Sequence, residues 1–523
     1  MIMFSPFRIS LVALLSLSLT STIVAIQAFE LPPPISSSQL LVLSKGGGND
    51  PQQHPPHHQQ HQHQQQQRRR FFSNALLTRT PLRRSTWSLS SSSLDDIPRG
   101  GGGGGGAGKQ DETVSGGTAS IPTEVFNLVK SIAGAGVLSL PAGIAAFGNA
   151  PTAMIPSVAL IAIMGGLSAY TFALIGRICA ETKTESYSDA WDATVGAKWA
   201  PLIAFSCFVD CLAGNLSYSM ILADTFTSLL SGVGIAVTRT QSLIGVTTGV
   251  LLPLCLLKNL SSLAPFSLVG ITGMLYTTVA MVLRYFGGSY IPGGEYFSDG
   301  VSAPIFGTLG ATAVFSPKSL ILMCMLSNAY ISHFIAPKMY NDLKNNTLPR
   351  FYQMTAWSFG ATILLYSLVA GAGFLTFGAA SNGYILNNYA TRDSIMSLSR
   401  IAIAVSITAS YPLLFVGTRD GLMDLLKVKQ RSNGTLNKFT LSILGLVTIL
   451  AANLKDLGLV ASLGGATFGT ALVFIYPCLM LLKLQAKNGT KGSKESILAK
   501  MIAGLGFVMG AIGTGMALQG IDV

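Results

Sequence analysis

Apolar residues beyond position 120 come in blocks of about twenty, with short polar segments between the blocks. A helix of that length crosses the roughly 30 Å hydrocarbon core of a bilayer. The pattern therefore predicts an all-α polytopic membrane protein with about eleven transmembrane helices. The predicted spans are approximately 122–147, 152–178, 200–230, 240–257, 262–286, 318–340, 352–377, 395–417, 437–454, 457–483 and 496–519.

The first block is interrupted near its middle. Residues 126–141 read FNLVKSIAGAGVLSLP, with Gly134, Ala135 and Gly136 at the centre and Pro141 at the end. Glycine and proline weaken a helix, and each backbone group left unpaired in hydrocarbon costs several kcal/mol. Such a break is tolerated only where protein or a ligand meets the freed groups. We therefore predict a broken first helix beside a small-molecule site.

The sixth block carries a second interruption. Ser327, Asn328, Tyr330 and His333 precede Pro337 in this block. Two interrupted segments at matching positions of two halves indicate an inverted repeat. The sequence thus predicts an inverted repeat whose first and sixth helices are broken.

Charged side chains inside the blocks are a second pointer to a cavity. A charge at the bilayer centre costs about 2.5–3.5 kcal/mol, so it faces a cavity or a partner. In the first block Glu124, Asn127 and Ser131 share one helical face, and Lys130 flanks it. The alternative for Glu124 and Lys130 is a position near the interface, from which a long side chain reaches water.

Two further blocks carry polar side chains at helical spacing. The third block has Asp210, Gly214, Ser217, Asp224 and Ser228 with Tyr218 beside them, and the eighth has Ser406, Thr408, Ser410 and Tyr411. For Asp224 the structural alternative is a helix-to-helix hydrogen bond. For His333, in the sixth block, the structural alternative is a buried, hydrogen-bonded imidazole.

Composition and charge agree with a membrane protein. The 523 residues are 49% hydrophobic and 11% charged, with a mean hydropathy of +0.50, whereas soluble domains carry about 25% charged residues. The net charge of +12 could suggest nucleic acid, but the basic residues lie in short loops, where they indicate topology. We expect a lipid bilayer and no nucleic acid as partner. The more basic loops and the N-terminus lie on the cytosolic or equivalent side, because the opposite loops carry only Arg239, Arg284, Lys318, Arg392, Arg400 and Lys455.

Motifs for chemistry are missing from the sequence. It contains no HExxH, nucleophile elbow or Walker motif in a plausible context, and its cysteines lack metal-binding spacing. We expect no enzyme activity, no cofactor and no bound metal.

The N-terminal region differs in composition from the rest. Residues 1–28 resemble a signal peptide, with Arg8 before an apolar run and small residues up to Ala28. Residues 29–120 are rich in Arg, Ser, Gln, His and Gly and poor in acids, which is typical of disorder and of organelle transit peptides. The pair resembles a bipartite plastid presequence and favours the plastid envelope. A disordered tail on an endomembrane, vacuolar or plasma-membrane protein is the alternative.

Four segments, in order, resemble the amino acid/auxin permease family of transmembrane amino acid transporters, across residues 121–519. They are FNLVKSIAGAGVLSLP in the first block, SHFIAPKMYNDLKN after the sixth, SITASYPLLFVGTRD in the eighth and NLKDLGLVASLGGATFGTALVF in the tenth. The resemblance implies a LeuT-type fold with a five-plus-five inverted repeat, eleven spans, an inward N-terminus and an amino acid substrate.

The resemblance also implies a substrate site at the broken first helix. The amino acid's carboxylate would meet free N–H groups, and its ammonium would meet carbonyl groups. The implied N–H groups belong to Ala135, Gly136 and Val137, the carbonyls lie near Ser131, Ile132 and Ala133 before Gly134, and the pocket residues are Tyr218, Asn328 and Ser332.

Ion coupling is the finer expectation. Sodium-driven members of the family tend to have an asparagine where this chain has Lys130, so we favour protons over sodium. The candidate coupling residues are Glu124, Asn127, Lys130, Asp224, His333, Ser406 and Ser410. The predicted function is a secondary active amino acid transporter that works by alternating access with protons. An amino-acid-sensing transceptor and a sodium-coupled carrier of another small solute stay open as alternatives.

Overall fold

Helices form nearly all of the regular structure in the computed structural model, which describes residues 117–257, 266–297, 303–428, 432–490 and 492–519. Within these ranges the extended pairing amounts to two isolated bridges. The predicted signal peptide, 1–28, lies outside the described residues, and so does the low-complexity segment 29–120 except for 117–120.

The helices occupy the predicted blocks. Within the described ranges the α-helices are, in chain order, α1 Ile121–Ile132, α2 Leu140–Ala145, α3 Met154–Thr182, α4 Tyr187–Thr194, α5 Ala200–Gly232, α6 Arg239–Val246, α7 Leu252–Leu256, α8 Phe266–Phe286, α9 Ser319–Ala329, α10 Ala336–Asp342, α11 Leu348–Phe377, α12 Ser394–Leu425, α13 Asn433–Asn453, α14 Leu457–Gly464, α15 Tyr476–Lys487, α16 Lys494–Val508 and α17 Thr514–Gln519.

Most of these helices can cross a bilayer. In the described part of the chain, eight helical stretches are long and apolar enough, and the pair Ile121–Ile132 and Gly136–Ala145, bent by 47°, makes a ninth. The other two predicted spans are also helical, as α6 and α7 joined by the π-turn Thr247–Leu251, and as α8. The predicted all-α polytopic fold class is therefore confirmed. We number the spans by the eleven predicted blocks.

Local sequence explains where several helices begin. The Ser120 hydroxyl accepts the Thr123 N–H at 3.4 Å, which caps α1. The Asp393 carboxylate accepts the N–H groups of Ile395 and Met396 at the start of α12. Each cap pairs N–H groups that a helix end otherwise leaves free.

The loops after the fifth and seventh spans are joined by a buried ion pair. Arg284 at the end of α8 contacts the fully buried Asp393 at 2.7 Å, and the Tyr290 hydroxyl donates to the same carboxylate at 2.8 Å. Arg400 is also buried and donates to the carbonyls of Leu386 and Tyr389 at 2.8 and 2.6 Å. These contacts hold the loops on that side of the helices together.

The tenth span lies directly against the sixth at a glycine. A Cβ at Gly465 would overlap the backbone carbonyl of Cys324 and lie 3.2 Å from the Asn328 Cβ. Small residues allow membrane helices to approach this closely.

We predict that Gly465→Ala destabilises the protein by about 1–3 kcal/mol, because the added methyl group must push the tenth and sixth spans apart. Thermal unfolding of the purified protein in detergent measures the loss. Gly445→Ala is the matched control, since Gly445 is exposed on α13 and a Cβ there meets no atom within 4 Å. Equal melting temperatures for the two variants would contradict the close contact.

Candidate substrate site

The first span breaks where the glycines predict. Helix α1 ends at Ile132, and Gly134 is extended at φ −88° and ψ −166°. The Gly134 N–H turns back to the Ile132 carbonyl at 2.6 Å. A 3-10 turn, Ala135–Ser139, follows, and no side chain caps its first N–H groups. The span therefore offers backbone donors and acceptors within the membrane.

The sixth span breaks in a similar way. Helix α9 ends at Ala329, Tyr330 to Ser332 are not helical, and a 3-10 turn, His333–Ile335, leads into α10. No side chain caps this turn either. The Ser332 hydroxyl is buried and has no hydrogen-bond partner among the described residues. Both predicted interruptions are therefore present.

The two breaks lie side by side. A Cβ at Gly136 would be only 3.4 Å from the Ala329 Cα. The Tyr366 hydroxyl, on α11, lies 2.8 Å from the Ile132 carbonyl oxygen and 2.7 Å from the Ala329 carbonyl oxygen. A single side chain thus touches the last carbonyl of the helix before each break.

The third and tenth spans lie against the same region. The Tyr218 hydroxyl is 3.7 Å from the position of a Cβ on Gly134. The Asn328 side-chain oxygen is 3.4 Å from the position of a Cβ on Gly464. Tyr218 and Asn328 are both partly exposed, so each has free surface near the breaks. The structure therefore places Tyr218 beside the first-span break, and it places Asn328, just before the sixth-span break, beside the tenth span.

The inner ends of the two broken spans are also tied. Ahead of α1, the Ala119 N–H donates to the Asp342 carbonyl at 3.0 Å, and the Ala119 carbonyl accepts the Lys344 N–H at 2.9 Å. Glu124 is buried near the charged groups of Asp342 and Lys338. These contacts link the first span to the end of α10.

The candidate coupling residues fall into separate places. Asn127 lies beside Glu124. Lys130 is partly exposed in the last turn of α1 and has no ion-pair partner in the described ranges. Asp224 pairs with Arg239 at 2.5 Å and accepts from Asn387 at 3.1 Å, which joins the third span to α6 and to the loop before α12.

His333 faces the second span. Its Nε2 lies 2.9 Å from the Thr171 hydroxyl and 3.2 Å from the Ser168 carbonyl, and its ring meets Phe172 edge-on at 5.8 Å. Its Nδ1 is buried and has no partner among the described residues.

The two eighth-span serines have different surroundings. Ser406 faces the fifth span, since its hydroxyl would be 2.7 Å from a Cβ on Gly270, and Ser410 is partly exposed.

Sequence reasoning missed Tyr366. The signal available was a lone tyrosine in the apolar run ILLYSLVAG, because a buried hydroxyl needs a hydrogen-bond partner. It gave no indication of which helices the hydroxyl would reach.

A family comparison decides the class of protein. The family described as "Transmembrane amino acid transporter protein" matches residues 117–520. The chain belongs to this family. It is an integral membrane protein, and the predictions of amino acid transport and of no enzyme activity are confirmed at the level of the family.

Individual relatives agree with the family. A Danio rerio protein named "Putative sodium-coupled neutral amino acid transporter 11" is 27% identical over 405 residues, 75% of this chain and 85% of the relative. "Amino acid transporter AVT6E" of Arabidopsis thaliana is 24% identical over 418 residues, 75% of this chain and 81% of the relative.

Solved structures also resemble the chain. The Eremococcus coleocola manganese transporter has a TM-score of 0.49 at 12% identity, covering 79% of this chain and 90% of the other. MhsT in complex with L-phenylalanine has a TM-score of 0.46 at 11% identity, covering 77% and 99%. Both scores lie below 0.5, and the fold assignment rests on the helices described above.

We predict a graded response at Gly136. Gly136→Ala adds a methyl group at ordinary contact distance from Ala329, so uptake stays within about threefold of wild type. Gly136→Leu forces the two breaks apart and reduces uptake by at least about tenfold at normal membrane abundance. Amino acid uptake, normalised to protein in the membrane, measures both. Wild-type uptake by Gly136→Leu would show that the breaks need not lie together.

Proposed function

We propose that the chain is a secondary active transporter that carries an amino acid across a membrane by alternating access. The observation that carries this proposal is the adjacency of the two broken helices through Gly136, Ala329 and Tyr366. Bare N–H groups at the turn after Gly134 bind the substrate carboxylate, because helix starts favour anions. Carbonyls at the ends of α1 and α9 bind the ammonium, because helix ends favour cations.

Neutral amino acids are the proposed substrate class. Two side chains near the breaks, Tyr218 and Asn328, are uncharged, and the tenth-span position that faces Asn328 is a glycine, Gly464. An aromatic and an amide wall suit an uncharged side chain. The name of the Danio rerio relative specifies neutral amino acids for that protein.

Protons are the proposed coupling ion. Lys130 lies in the last turn of α1, where its positive charge opposes a bound sodium ion nearby. Glu124 and His333 are buried ionisable groups in the two broken spans and serve as candidate proton carriers. Sodium coupling is the second candidate, because several relatives carry "sodium-coupled" in their names.

The plastid envelope is the proposed membrane. The support is the Arg-rich, Ser-rich and acid-poor composition of residues 29–120 behind an apolar leader. In that membrane the more basic loops would face the stroma.

We predict that an inward proton gradient, with the outside more acidic, drives amino acid accumulation in liposomes that contain the purified protein. A protonophore should abolish this accumulation. A sodium gradient at equal pH should give only equilibration. Preloaded unlabelled substrate should accelerate uptake of labelled substrate, because a carrier exchanges across the membrane whereas a channel or a sensor does not. Accumulation that requires sodium and ignores pH would favour the sodium alternative, and absence of counterflow would contradict the carrier itself.

We predict that residues 1–120 fused to a fluorescent protein direct it to the plastid in a cell that imports through a signal and a transit step. Removal of residues 1–28 should leave the fusion in the cytosol, because the first step is lost. Fluorescence at the plasma membrane or vacuole with the full segment would contradict the plastid assignment.

A further inference from the structure

The Tyr366 hydroxyl is shared between two carbonyls. It lies 2.8 Å from the Ile132 oxygen and 2.7 Å from the Ala329 oxygen, and all three residues are at most 5% exposed. A tyrosine hydroxyl carries one hydrogen. It cannot therefore donate fully to both carbonyls at once.

The two carbonyls differ in their other partners. The Ile132 carbonyl also accepts the Gly134 N–H at 2.6 Å. Ala329 is the last residue of α9, and within the described ranges its carbonyl accepts a hydrogen bond from Tyr366 alone. A buried carbonyl without a donor is costly. In the empty site the hydrogen therefore favours Ala329.

The surroundings fix the Tyr366 ring. It is fully buried, and its centroid lies 4.8 Å from that of Tyr330. The Tyr330 hydroxyl donates to the Ile161 carbonyl on the second span at 3.1 Å, away from the breaks. Packing therefore leaves the Tyr366 hydroxyl a choice between two acceptors, one on each broken helix.

We propose that Tyr366 is a positioning residue that holds the Ile132 and Ala329 carbonyls at the spacing that the substrate's ammonium requires. When the ammonium donates to Ala329, the Tyr366 hydrogen rotates to Ile132, so both carbonyls stay paired with and without substrate. Tyr366 acts on the substrate through these carbonyls and does not touch the substrate itself, because its side chain is fully buried. The inference rests on the proposed amino acid site. It attributes the site's preference for substrates that carry an ammonium group to Tyr366 on the seventh span.

The test is the Tyr366→Phe variant in liposomes, with an amino acid substrate and with its 2-hydroxy acid analogue, which lacks the ammonium. KM for the amino acid should rise about tenfold, because the carbonyls lose the donor that aligns them. KM for the hydroxy acid should change less than about twofold. A purely structural role would raise both KM values alike or lower the maximal rate alone, and either result overturns the proposal.

Tyr187→Phe is the matched control. It also removes a buried hydroxyl that donates to a backbone carbonyl, that of Leu472 at 3.2 Å, and Tyr187 lies on α4, outside both breaks. Its amino acid KM should stay within about twofold of wild type. An equal rise in both variants would show that any lost buried hydroxyl has the same effect, which contradicts a special role for Tyr366.

Replacement of Tyr366 by 4-aminophenylalanine covers the case in which the Phe variant does not fold. The ring keeps its size, and the amino group has two hydrogens, one for each carbonyl. The amino acid KM should equal the wild-type value or fall below it. A rise in KM as large as that expected for Tyr366→Phe overturns the proposal. If wild-type protein transports no amino acid, the proposed function fails; if it transports and the variants behave alike, only this inference fails.

Discussion

The cost of unpaired backbone groups in a medium without water governs the arrangement of the broken helices. An α-helix pairs every internal N–H and C=O group, so a break in a membrane span exposes groups that must find partners elsewhere. Here the breaks in the first and sixth spans meet at Gly136 and Ala329, and the Tyr366 hydroxyl serves a carbonyl from each. The remaining N–H groups at the two 3-10 turns have no side-chain cap. A zwitterion can satisfy them, because it brings an acceptor and donors in one small molecule.

The surrounding structure makes this arrangement possible. Glycines permit the close approaches, at Gly136 against the sixth span and at Gly465 between the tenth and sixth spans. The segment ahead of α1 pairs with the residues after α10, so the inner ends of the two broken helices are joined. On the other side of the helices, the Arg284–Asp393 and Asp224–Arg239 ion pairs join loops to spans. The Arg284–Asp393 pair favours one arrangement, because loss of Arg284 would leave an uncompensated charge on the fully buried Asp393.

Much of the fold could be predicted from the sequence because hydrocarbon imposes a simple rule on length and polarity. That rule gave the helical blocks, and the positions of Gly134, Gly136 and Pro337 gave both breaks. The partners of individual polar side chains could not be predicted, because they depend on which helices meet. Asp224 illustrates this: its spacing placed it on a polar stripe, but only the fold shows Arg239 beside it. Tyr366 escaped notice for the same reason, since one hydroxyl in an apolar run has no periodic signal.

The most direct test of the account is an experimental structure of the protein with a transported amino acid bound. We predict the ammonium within hydrogen-bonding distance of the Ala329 carbonyl and the carboxylate at the N–H groups of the turn that begins at Ala135. A bound amino acid elsewhere, with α1 continuing as an unbroken helix through Gly134 and Gly136, would contradict it.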